Sequence, residues 1–178
     1  MKFNYDLSGH GWANGFIEMN SKRFEFSPSY VTDAFGDLLR SLVSLLTHEE
    51  ELETLIWDEE PRGVEWTFVR KNNDTLSIKI TIYEEVEDAY DRSKQKGEAL
   101  IDIDCLFIDF IKEVVREADQ LLITNGILGY RNLLGMHEFP LSSYLQLKDF
   151  LKSKEIITID EKSNLREELH ILHALVEE

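Results

Sequence analysis

Asp102 and Asp104 share one face of an alternating stretch, the first pair in this chain whose type and spacing suit chemistry. Two carboxylates at i, i+2 near a strand end serve divalent-metal binding or acid–base work. Asp104 also stands just ahead of an apolar helical pattern, where a carboxylate caps orphan N–H groups, and capping is the favoured reading. A second set, Glu167-x-x-His170-x-x-His173, puts a carboxylate and two imidazoles on adjoining turns of a helix. Glu-x-x-His occurs in carboxylate-bridged metal sites, but those use a second copy of the motif, and this chain has none. The third set is the run WDEEPRGVEW, in which Trp57 and Trp66 bracket Asp58, Glu59 and Glu60. Those acids suit an arginine-rich partner or a hard cation, although a calcium loop needs carboxylates at wider intervals. The tryptophans read as cross-strand packing partners before they read as ligand contacts. Last, His10 and Trp12 sit in the glycine-broken stretch SGHGWANG, a loop able to contact a ligand.

Other familiar chemistry is missing from the sequence. No G-x-S-x-G, H-E-x-x-H, C-x-x-C or phosphate-binding loop occurs, and no motif calls for a cofactor. Cys105 is the single cysteine, so no internal disulfide forms, which fits a reducing cytoplasm. Its place in the strand alternation points it inward, as an inert core thiol.

These residues need elements to hold them. KFNYDLS alternates with period two, and GFIEMNSKRFEF reads as a hairpin turning at Asn20-Ser21. The segment TDAFGDLLRSLVSLLT then carries apolar residues around most of a helix, which predicts burial on several sides. ETLIWDEE and VEWTFVRK flank Pro61-Arg62-Gly63, which is turn chemistry, so the acidic run reads as the solvated tip of a hairpin. In TLSIKITIYEE, Leu76, Ile78, Ile80 and Ile82 face one way and Thr75, Ser77, Lys79 and Thr81 the other. EEVEDAYDRSKQKG reads as an exposed loop and EALIDIDC as a further strand. A helix is predicted from about Leu106 to Thr124, stopped by Asn125-Gly126, with two shorter helices around ILGYRNLLG and PLSSYLQLKDFLKSK. In the final stretch, Leu165, Leu169, Leu172 and Val176 recur at heptad-like spacing on a predicted helix.

The expected fold is therefore α+β: an antiparallel, meander-like sheet of about six strands, helices mainly on one face, and a C-terminal helix. Residues 1–154 are expected to form one domain. Residues 155–178 are expected to form an arm that packs on that domain or on a second subunit, which offers a route to a homodimer.

Charge narrows the partners. With 19 Lys+Arg against 35 Asp+Glu, the formal net charge is −16, a field that repels nucleic acid and anionic lipid and attracts a basic protein. No apolar run approaches the ~20 residues of a membrane span, and the start of the chain lacks the apolar core of a secretory signal. Two readings compete. One is a non-catalytic acidic binding module, comparable to immunity proteins that cover a toxin's basic site. The other is a small metal-assisted hydrolase built on Asp102 and Asp104 or on Glu167, His170 and His173.

The runs Gly11-Trp12, SYVTDAFGDLLRSLVSLL from Ser29, WDEEPRGVEW from Trp57 and DIDCLF from Asp102 resemble a pattern found in small uncharacterised bacterial proteins, as do Gly126, Tyr130 and Phe139-Pro140. The resemblance covers roughly residues 1 to 151 and consists of packing and turn motifs. It implies one compact bacterial domain and brings no functional residues with it.

Overall fold

The computed structural model describes residues 1–47, 51–72, 74–91 and 97–156. The order of elements is β1 (Lys2–Gly9), β2 (Trp12–Met19), β3 (Lys22–Phe26), α1 (Ala34–Thr47), β4 (Leu52–Glu59), β5 (Arg62–Arg70), β6 (Thr75–Tyr83), α2 (Val86–Tyr90), β7 (Glu98–Leu106), α3 (Phe107–Leu134) and α4 (Leu141–Ser153). The fold is α+β, and every strand pairing is antiparallel.

Among the described residues the strands form two sheets, β1-β2-β3 and β4-β5-β6-β7, where the sequence pattern suggested one sheet of about six. Alternation identifies a strand but not its neighbour, and here α1 intervenes between β3 and β4. Two tight turns shape the first sheet. Gly9, His10 and Gly11 all take positive φ (85°, 55° and 85°), a conformation that glycine adopts at little cost. Asn20 and Ser21 also take positive φ, which matches the right-handed twist of the flanking strands. In the second sheet Leu76, Ile78 and Ile80 are wholly buried, as their alternation requires.

Aromatic side chains join the two sheets. Phe26 of β3 lies edge-on to Trp57 (4.9 Å between ring centroids) and Trp66 (5.9 Å), and the two indoles lie 4.7 Å apart. Phe35 of α1 packs against Tyr5 at 4.9 Å, and Phe110 of α3 against Phe3 at 6.2 Å. One hydrophobic cluster runs from Phe3 to Leu151, with Ile156 packed on it.

α3 also closes an exposed edge. β1 is an outer strand, and an uncovered edge offers unpaired backbone groups to other chains. Arg116 Nη2 donates to the Phe3 carbonyl (3.1 Å), while Glu117 Oε2 accepts from Asn4 Nδ2 (3.3 Å) and the Tyr5 N–H (3.4 Å). The Glu117 carboxylate sits on the apolar stripe of α3 and is buried there.

Three local expectations change. Val86–Tyr90 is a short helix, not loop, because Ala89 is buried and the Val86 N–H donates to the Pro61 carbonyl (2.7 Å). Helix α3 continues past Asn125-Gly126, but Gly126 (φ 64°, ψ −179°) breaks it into two stretches where a stop was predicted. Asp104 does not cap α3. The Phe107 N–H donates to the Asp74 carbonyl (2.7 Å), so the helix start is satisfied by the β5–β6 turn. Pro140 stands at the N-cap of α4. No helix among the described residues is long and apolar enough to cross a membrane. The predicted final helix, with Glu167, His170 and His173, lies outside the described residues.

Candidate functional site

The β4–β5 hairpin pairs Leu55 with Trp66, Trp57 with Val64 and Glu59 with Arg62. With the register set, alternate side chains enter the core, and both indoles are fully buried. Neither tryptophan is available to a ligand from outside. Among the described residues their Nε1 donors have no hydrogen-bond partner, so packing and not polar contact holds them.

The acids behave differently from the solvated tip that the sequence suggested. Asp58 and Glu59 are each only 8% exposed, while Glu60 is exposed. Asp58 Oδ1 accepts from the Glu60 N–H (2.9 Å), its own N–H donates to Thr32 Oγ1 (3.1 Å), and its carbonyl accepts from the Ser29 N–H (2.7 Å). Glu59 accepts from the Ser27 N–H (2.8 Å), from Arg62 Nε (2.8 Å) and from Arg62 Nη2. The chain from Ser27 to Thr32 therefore lies across the hairpin, and two of its acids tie the two sheets together.

The turn itself carries α2. The Glu60–Pro61 peptide is cis. Gly63 lies so close beneath α2 that an added Cβ would stand 2.9 Å from Val86 Cα. This close approach brings Glu84, Glu85, Glu87 and Asp88 to the same end of the second sheet as Glu60. Glu98, paired with Ile82, joins them from β7. Between them is a cleft of about 490 Å³ lined by Arg62, Ile82, Glu84, Glu85, Asp88 and Glu98. Glu60, Glu84, Glu85, Glu87 and Glu98 are exposed, whereas the lining cation Arg62 is engaged by Glu59. Across residues 84–98 the sequence has six acids against Arg92, Lys94 and Lys96, which fall in a stretch outside the described residues.

Asp102 and Asp104 both project from the exposed face of β7. Asp102 stands opposite Lys79, and Asp104 accepts two hydrogen bonds from Lys71 Nζ (2.7 and 2.8 Å). Hydrogen bonds from Lys71, and then Ser77, hold the Asp104 carboxyl below the usual carboxylate range. Among the described residues, no group of three or more His, Cys, Asp and Glu side chains is arranged to hold a metal ion. Cys105 is half-buried, and burial, followed by the charges of Asp109 and Asp104, pushes its pKa up to about 11. His10 is exposed at the β1–β2 turn. Trp12 is half-buried and forms a backbone bridge to Ser29.

One polar cluster gave little sign in the sequence. Arg40 Nη2 of α1 meets Asp37 Oδ1 (2.7 Å), one turn earlier in the helix, and Asp33 Oδ2 (2.6 Å), just ahead of it. His137, from the distant loop before α4, brings Nε2 to the Tyr30 carbonyl (2.7 Å) and Nδ1 to 3.9 Å from Asp33 Oδ1. Burial works against the Arg40 charge, but hydrogen bonds to Asp37 and Asp33 outweigh it and raise its pKa. Burial, and then nearby Tyr5 and Asp33, also raises the Tyr130 hydroxyl. His137 is tethered to a backbone carbonyl, so this group acts as a pin between the α3–α4 loop and the start of α1.

Comparison of the chain with protein-family models, with curated proteins and with solved structures returned no match.

Proposed function

We propose that this protein is a non-catalytic binding module that engages a basic protein in the cytoplasm through the acid-rimmed cleft beside α2, as an immunity protein covers a cationic site. The observation that carries this reading is the division of labour at the hairpin. Asp58 and Glu59 are used inside the fold and Glu59 holds Arg62, while Glu84, Glu85 and Glu98 line the cleft as exposed acids and Glu60 and Glu87 are exposed on the neighbouring turn and helix. An overall charge of −16 steers a cationic partner toward such a rim and speeds its association at low salt.

The test is a pull-down at low and at high salt with the wild-type chain and with Glu84→Lys/Glu85→Lys/Glu87→Lys. These three side chains are exposed, so the variant should melt close to the wild type. A stoichiometric basic partner should be held by the wild type at low salt and lost both at high salt and by the variant. A partner held equally by both proteins, or none at either salt, overturns the proposal.

A further inference from the structure

The second sheet has an open edge where β4 faces α1. β4 is an outer strand, and residues of an antiparallel strand alternate between turning their backbone groups to the partner and turning them away. The Glu51 carbonyl accepts from the Arg70 N–H (2.7 Å), in the same register that opposes Leu55 to Trp66 and Trp57 to Val64. The odd residues of β4 therefore bond to β5, and Thr54, Ile56 and Asp58 turn their N–H and C=O groups outward. Asp58 shows this directly, since its N–H meets Thr32 Oγ1 and its carbonyl meets the Ser29 N–H. That cover stops at Asp58. Among the described residues, no hydrogen bond reaches the N–H or C=O groups of Thr54 and Ile56. Thr32, Thr54 and Ile56 line one cleft of about 500 Å³ with Asp37 and Arg40 of α1, so the outward side of β4 is the side that faces it.

The cleft is left negative. Arg40 is shared between Asp37 and Asp33, while Glu53, half-buried in the lining, has no ion-pair partner among the described residues. At one end stands Tyr90 of α2, 62% exposed. Burial, and then the charges of Asp58 and Asp37, raise the pKa of its hydroxyl. We propose that an extended segment of the basic partner, carrying a lysine or arginine, adds as a strand to the edge of β4, bonding through its main chain to Thr54 and Ile56 and through its cation to Glu53. This rests on the reading of the protein as a module for a basic protein. α2 lends Asp88 to the acid-rimmed cleft and Tyr90 to this one, so one partner reaches both. An added strand lies ~4.8 Å from β4, its main-chain bonds supply affinity, and Glu53 supplies the preference for a cation.

The probe is the peptide acetyl-Lys-Val-Lys-Val-Lys-Val-amide, and the readout is amide hydrogen exchange of the full chain by NMR at low salt. Without peptide, the Thr54 and Ile56 amides should exchange rapidly. Peptide at about 1 mM should slow both at least about tenfold. The same peptide N-methylated throughout keeps its charge but blocks close main-chain pairing, and should slow neither. Glu53→Gln should weaken binding about two- to fivefold. Thr54→Pro removes an outward N–H that the β4–β5 ladder does not use, so it should fold and lose the peptide. If it does not fold, the N-methylated peptide on the wild type still decides. No slowing at about 1 mM, or equal slowing by the N-methylated peptide, overturns the proposal. Amides already protected in the free chain also overturn it, and protection that fades on dilution as the mass halves assigns the edge to a second copy. The salt-dependent pull-down fails separately. A partner released by the Glu84, Glu85 and Glu87 reversal but held by folded Thr54→Pro keeps the cleft beside α2 and overturns the edge. Slowing by the peptide with no partner recovered keeps the edge and overturns the basic-protein reading.

Discussion

Replacing Glu59 by Ala removes the acceptor for the Ser27 N–H and both bonds from Arg62. The Ser27 N–H loses its partner in a partly buried position, a loss of about 1–2 kcal/mol. The ion pair is worth less than a buried one, because the Arg62 side chain is 39% exposed and rehydrates when released; about 1 kcal/mol is reasonable. Lost packing of the buried side-chain stem adds about 1 kcal/mol, and relief of the carboxylate's own desolvation takes back a similar amount. The net loss is about 2–3 kcal/mol, or roughly 5–10 °C in Tm for a chain of this size. Glu59→Gln keeps an acceptor for Ser27 and should lose about 1 kcal/mol. Arg62→Ala should cost less than Glu59→Ala, since it leaves the Ser27 N–H its acceptor and otherwise gives up only a long cation–π approach to Phe24 (5.9 Å). Urea denaturation of the three variants, with unchanged m-values, measures the ordering. A Glu59→Ala variant within ~0.5 kcal/mol of wild type would show that this acid is solvated and that the inter-sheet clamp is not a clamp.

Two further outcomes follow from the same region and from β7. Gly63→Ala should lose about 1–3 kcal/mol and speed hydrogen exchange across Val86–Tyr90, because the new Cβ meets α2 backbone at 2.9 Å; unchanged exchange there would count against the close approach. Cys105, with its pKa raised to about 11, holds less thiolate at any given pH than an ordinary thiol. Its reaction with a disulfide reagent at pH 8 should be ~100-fold slower than a free peptide thiol and should climb about tenfold per pH unit; a plateau near pH 9 would contradict the burial argument.

Much of the fold could be read from local pattern. Leu76, Ile78 and Ile80 announced a half-buried strand, and Asn20-Ser21 announced its hairpin, because strand period and turn conformation depend on adjacent residues. What could not be read depends on distant ones. Asp104 has the spacing of a helix cap, but Lys71, 33 residues earlier, takes its carboxylate. Asp58 and Glu59 have the composition of a solvated tip, but the segment after β3 lies across them. Val86 and Ala89 were too few to reveal a helix, and α2 is held chiefly by the hairpin beneath it. Glu117 did leave a trace, an acid on an otherwise apolar stripe, which is where a buried carboxylate with a structural partner is found. His137 left none, since its loop meets Tyr30 across 107 residues.

The strap that α3 lays along β1 has a consequence for how the chain is made. Its contacts join Phe3 and Asn4 to Arg116 and Glu117, 113 residues later. During synthesis the first three strands can pair early, but the outer edge of β1 stays open until those 113 residues have been added. At ~5–20 residues per second that interval is roughly 6–20 s, during which a nascent chain presents a bare strand to its neighbours on the same message. The contact that protects the edge of β1 is thus placed late, and substitutions at Arg116 or Glu117 should appear first as lower soluble yield, before any loss of function in the protein that does fold.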